Sequence, residues 1–486
     1  PKPRVLDDAK ESGINGAYSA REQLALHDLD YVCSVLSHCA QAGGGVCAGV
    51  GEGDGQRLRG ELHPRAKSSR WVGRCLDLSK AYKQVPIDKQ SLPLAIIVVI
   101  CPDSGHPKFF TTASMPFGCS ASVFSFNRLS RSLLHFFREL MLAISGVFYD
   151  DFAIVDPQPS ADSCSVALGG LLGELGWLFA KDDEKGADFS PDFNLLGARL
   201  SLGDLHEGYV QVGNKEGRSR KLEEVMAPLL DPRVELKSLR SVASSVHGLL
   251  NFMNTFTTGH CLKHHCRAFA NLSVISERPA SGATAELHNF VVETVKQMEP
   301  KRWKCAQLEK PWVIFTDGAF EDGVATIRAV VFPPRGQPIV HSGRVPDELV
   351  KKWQAEGGEQ VISQVELFAA VCVRHMYSAS FFQRQTLWFI DNESAKFCLI
   401  KGTSASLSML LLCSAFYSAD LSCPTAAWIE RVPSESNIAD LPSRGLAKRA
   451  AEIVRGRVGQ DLWADDFLLT PSCPVPKSLL RKSSDR

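Results

Sequence analysis

Apolar and polar positions follow different rhythms along the chain, and the changes of rhythm divide it. To about residue 200, short apolar runs of strand length alternate with stretches of helical spacing, and the glycines from Gly43-Gly44-Gly45 to Gly55 read as a flexible loop. From Lys221 to Leu272 the spacing is helical, with apolar Leu222, Val225, Met226, Leu229, Leu236, Leu239, Val242, Val246, Leu249 and Phe252, which predicts a small helical subdomain. Between Pro279 and Lys310 the pattern weakens and Lys296, Lys301, Arg302, Lys304 and Lys310 gather, so this stretch reads as a connection. A fresh α/β unit starts at Pro311. Strand-like runs at Trp312 to Thr316, Ala325 to Phe332 and Pro338 to Arg344 precede a helix around Gln364 to Tyr377 and a strand at Leu387 to Ile390. Helices around Glu393 to Ile400 and Ser406 to Ser418, a strand at Ala426 to Val432 and a helix from Asn437 complete it. The expected boundaries are 1–202, 203–310, 311–456 and a tail, 457–486, disordered from Pro471 onward. There is no internal repeat.

Composition agrees with several cores. A chain of 486 residues exceeds one ordinary domain, and its 44% hydrophobic content fills two or three. The 54 basic and 54 acidic residues cancel, so a nucleic-acid partner would have to be held by a locally basic cleft rather than by overall charge. Fifteen cysteines lie without paired spacing, and no signal peptide or bilayer-length apolar run accompanies them. The expected setting is reducing and intracellular, cytoplasmic or nuclear, with no membrane partner. His260, Cys261, His264, His265 and Cys266 have metal-ligand chemistry but no zinc-like spacing, and read as polar residues of a helix.

Two constellations of acids carry the chemistry. The first places Asp77 at the end of an apolar strand and the pair Asp150-Asp151 inside the apolar hairpin Gly146 to Val155. Adjacent carboxylates in a tight turn repel by about 4 kcal/mol at roughly 4 Å and an effective dielectric near 20, which a cation relieves. Two divalent ions about 3.5 to 4 Å apart would stabilise the attacking and leaving oxygens of an in-line phosphoryl transfer, and hard oxygen ligands favour magnesium, with manganese as a substitute. Taken alone, two acids in a β-turn are more often a solvated turn than a metal site. The second constellation ends the strand Trp312 to Thr316 in Asp317, puts Glu366 on a helix, ends the strand Leu387 to Ile390 in Asp391, and sets Asp440 at the start of a helix. Four ordinary helix caps and strand ends are its plainer reading.

The order of the first set and its neighbours resembles the motif series of reverse transcriptases: Lys2-Pro3-Arg4 through Asp8, then Asp77 with Ala81-Tyr82, Met115-Pro116-Phe117-Gly118 with Phe126-Asn127-Arg128, Phe148-Tyr149-Asp150-Asp151, Lys185, and Leu195-Leu196-Gly197. Within retroelements it looks closest to tyrosine-recombinase (DIRS-like) or LTR-type polymerases, over residues 1 to about 200. The likeness implies an α/β and α+β multidomain fold: right-hand polymerase fingers and palm, a helical thumb and connection, and an RNase H-like α/β domain with a mixed five-stranded sheet. It implies that Asp77, Asp150 and Asp151 bind metals and that Tyr82 lies under the incoming sugar. Lys2 and Arg4 would contact the triphosphate. Phe117 and Gly118 would let backbone approach nucleotide or template, Lys185 would meet the departing pyrophosphate, and Leu196 and Gly197 would belong to the primer grip. Tyr82 and Phe117 read also as core aromatics, and Lys185 as one charge of the run Lys181 to Lys185. Ser122-Val123 and Phe148 depart from the family pattern.

The order Asp317, Glu366, Asp391, Asp440, with the run Arg431 to Arg444, is similar to the RNase H series of retroelements. It implies hydrolysis of an RNA phosphodiester at two magnesium ions, the 2′-hydroxyl marking the RNA strand. Where relatives carry a histidine in the loop before the last acid, Glu435 and Ser436 stand here, which implies slower turnover or product release. The chain opens at Pro1, without methionine and inside the first motif, and is expected to be part of something longer. Expected partners are an RNA template, a DNA primer, RNA–DNA hybrid, deoxynucleoside triphosphates and other polyprotein segments. Retention of all seven acids favours an enzyme with both activities; the truncated start and neutral charge favour a remnant that only binds nucleic acid, and a complete RNase H unit beside an incomplete polymerase favours nuclease activity alone.

Overall fold

The computed structural model describes residues 9–11, 13–43, 46–50, 57–61, 63–67, 69–180, 188–257, 259–280, 282–304, 310–357, 359–440 and 446–462. The chain forms a mixed α/β structure of two compact units, Pro1–Gln211 with Trp303–Ala306, and Val212–Arg302 with Gln307–Arg486. Lys2, Arg4 and Lys185, and the tail from Pro471, lie outside the described residues.

In the first unit a three-stranded antiparallel sheet holds β1 (Trp71–Asp77), β2 (Ile144–Phe148) and β3 (Asp151–Pro157), with β3 central. Helices α1 (Ser120–Glu139) and α2 (Gln158–Glu174) supply Phe126, Leu133, Leu134, Phe137, Leu168 and Leu172 to a core with Leu76, Phe152 and Ile154 of the sheet. The alternation Phe152, Ile154 is what a half-buried strand needs to place large side chains on one face. The connection from β2 to β3 is the two-residue turn Tyr149-Asp150, with Phe148 paired to Asp151. Tyr149 sits at φ 54°, a left-handed conformation that a bulky residue adopts only under constraint. Upstream, where a flexible loop is expected, Val46–Val50 pairs antiparallel with Arg57–Glu61.

The second unit contains a six-stranded sheet. Its strands are β4 (Trp312–Glu321), β5 (Val324–Phe332), β6 (Ile339–Arg344), β7 (Gln385–Ile390), β8 (Ala426–Arg431) and β9 (Arg457–Val458). Their order is β8-β7-β4-β5-β6-β9. The first three are mutually parallel, β4, β5 and β6 are antiparallel, and β9 is parallel to β6. The sixth strand corrects the expected five: Arg457–Val458 pairs with β6, inside the stretch expected to be a tail. Gly459 N–H donates to Val340 at 2.8 Å, Leu462 N–H donates to Ser342 at 2.8 Å, and Leu462 is buried in the core. A two-residue strand has no period to read.

Helix Ile362–Met376 lies against β4 and β5, and every residue from Gln364 to Arg374 is buried, so it has no polar face. Helix Leu407–Ser422 packs beside it. The Arg374 guanidinium, fully enclosed, donates to Asp420 at 2.8 Å and to the Cys423 carbonyl, and Asp420 also accepts the Thr425 N–H at 3.0 Å. Helices Arg218–Met226, Leu236–Thr255, Lys263–Leu272 and Ala283–Gln297 form a second core that Leu410 enters, so the helical segment packs on the α/β sheet unit. Ala283–Gln297 falls where a less patterned connection is expected; only Ala283, Leu287, Val291 and Thr294 are buried, a stripe too narrow to stand out. The helix expected from Asn437 starts later. Asn437 Oδ1 accepts the Ala439 N–H at 3.1 Å, a local turn that competes with helix, and Asp440 is the first helical residue.

Candidate active site

The second acid constellation closes into one group. Asp317, Glu366 and Asp391 offer ligand atoms that all lie within 4.8 Å of one another, the one such group of three among the described residues. Three elements bring them there. Strands β4 and β7 are parallel with Thr316 opposite Ile390, so Asp317 and Asp391 stand one residue beyond the last paired position. Asn392 then caps helix Glu393–Lys401 by accepting the Ala395 N–H at 2.9 Å, so the strand ends just before Asp391. Glu366 arrives from helix Ile362–Met376, and Gly318 makes that approach possible: a Cβ there would stand 2.8 Å from the Glu366 backbone nitrogen and 3.0 Å from the Val365 carbonyl carbon. Asp440 follows the turn at Asn437, whose Nδ2 donates to the Thr316 carbonyl at 3.0 Å and ties that segment to β4 beside Asp317.

The electrostatics are those of acids enclosed without sufficient counter-charge. Asp317 is 6% exposed, and burial, then Asp391 and Asp440, push its carboxyl up to about 7. Burial, then Asp391 and Asp317, raise Glu366 well above the usual carboxylate range. One oxygen of Glu366 and one of Asp391 are buried without a hydrogen-bond partner. Orphaned, all-oxygen donors beside like charges fit a hard divalent cation, magnesium or manganese. Among the cations of the site is one that sequence reading missed: Arg328, opposite Asp317 on β5. Glu435 is exposed in a short 3₁₀ turn, Ser434–Ser436, in the loop before Asp440.

The first constellation is drawn together less tightly. Asp77 and Asp151 are register partners on neighbouring strands, and the Asp150 carbonyl accepts the Leu78 N–H at 3.2 Å, so all three acids share one end of the sheet. They do not form a group within 4.8 Å like the other trio. Tyr82 stacks on Phe126 with centroids 4.5 Å apart and meets Phe117 at 4.8 Å. Its hydroxyl is pushed up to about 12 by burial, then by Asp150 and Tyr149, which puts the ring beside the turn. Gly118, at φ 90°, needs the freedom of glycine, and its carbonyl accepts from Asn15 Nδ2 at 2.9 Å. Leu196 and Gly197, at φ 49° and 79°, are the two-residue turn between Asp192–Leu195 and Ala198–Ser201. Positive φ at both positions is the twist-matched hairpin turn.

The His/Cys cluster holds no such group among the described residues. His264 and His265 are buried, rings 4.0 Å apart, with His264 Nδ1 facing Ser414 at 3.3 Å and His265 Nε2 facing Thr294 at 3.5 Å. Burial lowers both imidazoles below the usual range. No described helix is long and apolar enough to cross a membrane.

No protein-family model and no curated protein matches the sequence. Among solved structures the chain is similar to the foamy viral protease-reverse transcriptase in complex with dsDNA, with a TM-score of 0.40 and 13% sequence identity over 79% of this chain and 76% of that one.

Proposed function

We propose that the acid cluster of the second unit is the hydrolytic centre of a ribonuclease H acting on the RNA of RNA–DNA hybrids, and that the first unit holds the fingers and palm of a retroelement RNA-directed DNA polymerase. The observation that carries the reading is the enclosure of Asp317, Glu366 and Asp391 within 4.8 Å of one another, with two carboxylate oxygens left unpartnered. The choice of substrate rests on the order of the sequence motifs. Magnesium ions, when bound by Asp317, Glu366, Asp391 and Asp440, would supply the activation of water and the stabilisation of the leaving 3′-oxygen. Asp317 feels the charges of Asp391 and Asp440 and acts on Glu366, which makes it the carboxylate common to the whole set. Burial excludes bulk water from Asp317 and Glu366, Asp391 and Asp440 are half-buried, and Gly318, Asn392 and Asn437 fix the elements that carry them.

For the polymerase, Asp77, Asp150 and Asp151 are the proposed metal ligands, with magnesium or manganese, a primed RNA template and deoxynucleoside triphosphates as partners. Tyr82 and Phe117 would line the sugar pocket, and Gly118, Leu196 and Gly197 would contact template or primer. Lys2, Arg4 and Lys185 keep the phosphate roles proposed from the motif order. In the presence of magnesium the protein is expected to extend a primed RNA template and to nick a hybrid, with Asp150→Asn removing the first activity and Asp391→Asn the second. Neither activity appearing, with both variants indistinguishable from the parent, refutes the proposal. Nuclease activity without polymerisation is the second reading, favoured by one observation: only the second trio closes to within 4.8 Å among the described residues.

A further inference from the structure

Resting on the metal-centre reading, we infer that Arg328 is a positioning residue for Asp317, a resident cation that orients this carboxylate and lowers the affinity of the acid cluster for divalent ions. The backbone places it there. Asp317 and Arg328 are directly opposed across the antiparallel pair β4-β5. Opposed residues project to the same face of a sheet, with Cβ atoms about 5 Å apart. The alternation confirms the face: Ile327, Ala329 and Val331 fill the core shared with helix Ile362–Met376, whereas Val330 packs with Phe315 and Ala439 on the other side. Arg328 is two residues from Val330 and shares its side, as Asp317 shares that of Phe315.

The guanidinium is held as well as placed. Arg328 is 9% exposed, and one terminal nitrogen donates to the Ile327 carbonyl at 2.8 Å and to the Gly343 carbonyl at 3.2 Å. Arginine stays protonated in proteins, and its planar fork has five donors, so two bonds to carbonyls leave donors directed elsewhere. Its positive charge acts on Asp317, the carboxylate common to the four acids. A fixed positive charge at that point attracts Asp317 and repels any further cation. A polar residue here merely for strand register would need no charge.

The test uses the full chain stripped of metal and carrying Asp150→Asn and Asp151→Asn throughout, which removes the other proposed metal site, at constant pH near neutrality and constant ionic strength, with Mn²⁺ as the probe and free Mn²⁺ read by electron paramagnetic resonance. Arg328→Gln is expected to tighten Mn²⁺ binding by about tenfold, the order of effect of deleting one unit charge near a divalent ion. Arg328→Lys, which keeps the charge but not the fork, is expected to change Mn²⁺ affinity less than Arg328→Gln does. Equal affinity in the parent and Arg328→Gln, or an equal shift in Gln and Lys variants, overturns the inference. A parent chain that binds no Mn²⁺ sinks the metal-centre reading instead. Should Arg328→Gln fail to fold, the ¹⁵Nε signal of Arg328 decides: Asp317→Asn is expected to shift it and speed its hydrogen exchange, and an unchanged signal overturns the assignment.

Discussion

Replacing Asp317 by asparagine is expected to stabilise the metal-free protein while reducing its response to magnesium. The carboxyl of Asp317 is raised from the ordinary value near 3.8 to about 7, first by burial and then by Asp391 and Asp440. The folded state therefore keeps a proton that the unfolded chain has already released between these two values, so stability falls as pH rises through that window. Below about pH 4 both states are protonated and no penalty exists; above about pH 7 it is complete. A shift of about 3 units at 1.36 kcal/mol each corresponds to a penalty of about 4 kcal/mol. Asparagine is nearly isosteric and carries no charge to desolvate, so at pH 8 in EDTA the variant should unfold about 10 °C higher, taking roughly 2–4 °C per kcal/mol for a domain of this size. At pH 4 the two proteins should unfold together. Magnesium should raise the parent more than the variant, which keeps only the proposed site of Asp77, Asp150 and Asp151, because binding to the folded state alone stabilises it. Thermal unfolding followed by circular dichroism, with and without magnesium at both pH values, measures all four cases. Destabilisation of Asp317→Asn at pH 8 in EDTA, or an equal magnesium response in both proteins, would refute the reasoning.

Asp391→Asn should abolish hybrid cleavage while leaving hybrid affinity within a few fold, by fluorescence anisotropy in calcium; equal loss of binding would mark Asp391 as structural. Gly318→Ala should cost about 1–3 kcal/mol in urea unfolding, because its Cβ would meet the Glu366 nitrogen at 2.8 Å and neither strand nor helix backbone yields freely. It should also lower cleavage, and an unperturbed variant would show that the approach of the Glu366 helix is looser than described. Arg374→Ala should destabilise by about 3–5 kcal/mol, since it leaves Asp420 buried opposite an empty space. A denaturation midpoint within error of the parent would contradict the enclosed ion pair.

Much of the second unit was legible because its chemistry sits where periodic patterns stop. Asp317 and Asp391 each interrupt an apolar strand, and an acid at the end of such a run is conspicuous. Glu366 was legible only by its place in the motif order, since a helix buried from Gln364 to Arg374 has no polar face to contrast with it. Arg328 escaped notice because a basic residue in an alternating strand looks like an ordinary solvent-facing position; its burial depends on which residue opposes it, and register is a tertiary fact. Gly318 follows Asp317 in the motif, yet its steric role exists only once helix and strand are brought together. Helix Asp347–Gly357 and strand Arg457–Val458 were not anticipated, the latter because two residues carry no period. In the first unit the adjacency of Asp77 and Asp151 follows from antiparallel pairing of a strand that ends in an acid with one that begins with an acid. The left-handed Tyr149 could not have been read from residue type, because a tyrosine gives no such signal.

Crystals of the full chain soaked in manganese, with anomalous scattering recorded at its absorption edge, probe the origin of the proposed hydrolysis. Peaks bounded by Asp317, Glu366, Asp391 and Asp440, and absent from crystals of Asp317→Asn, are the predicted result. Anomalous density elsewhere, with these four carboxylates bare at saturating manganese, would contradict it.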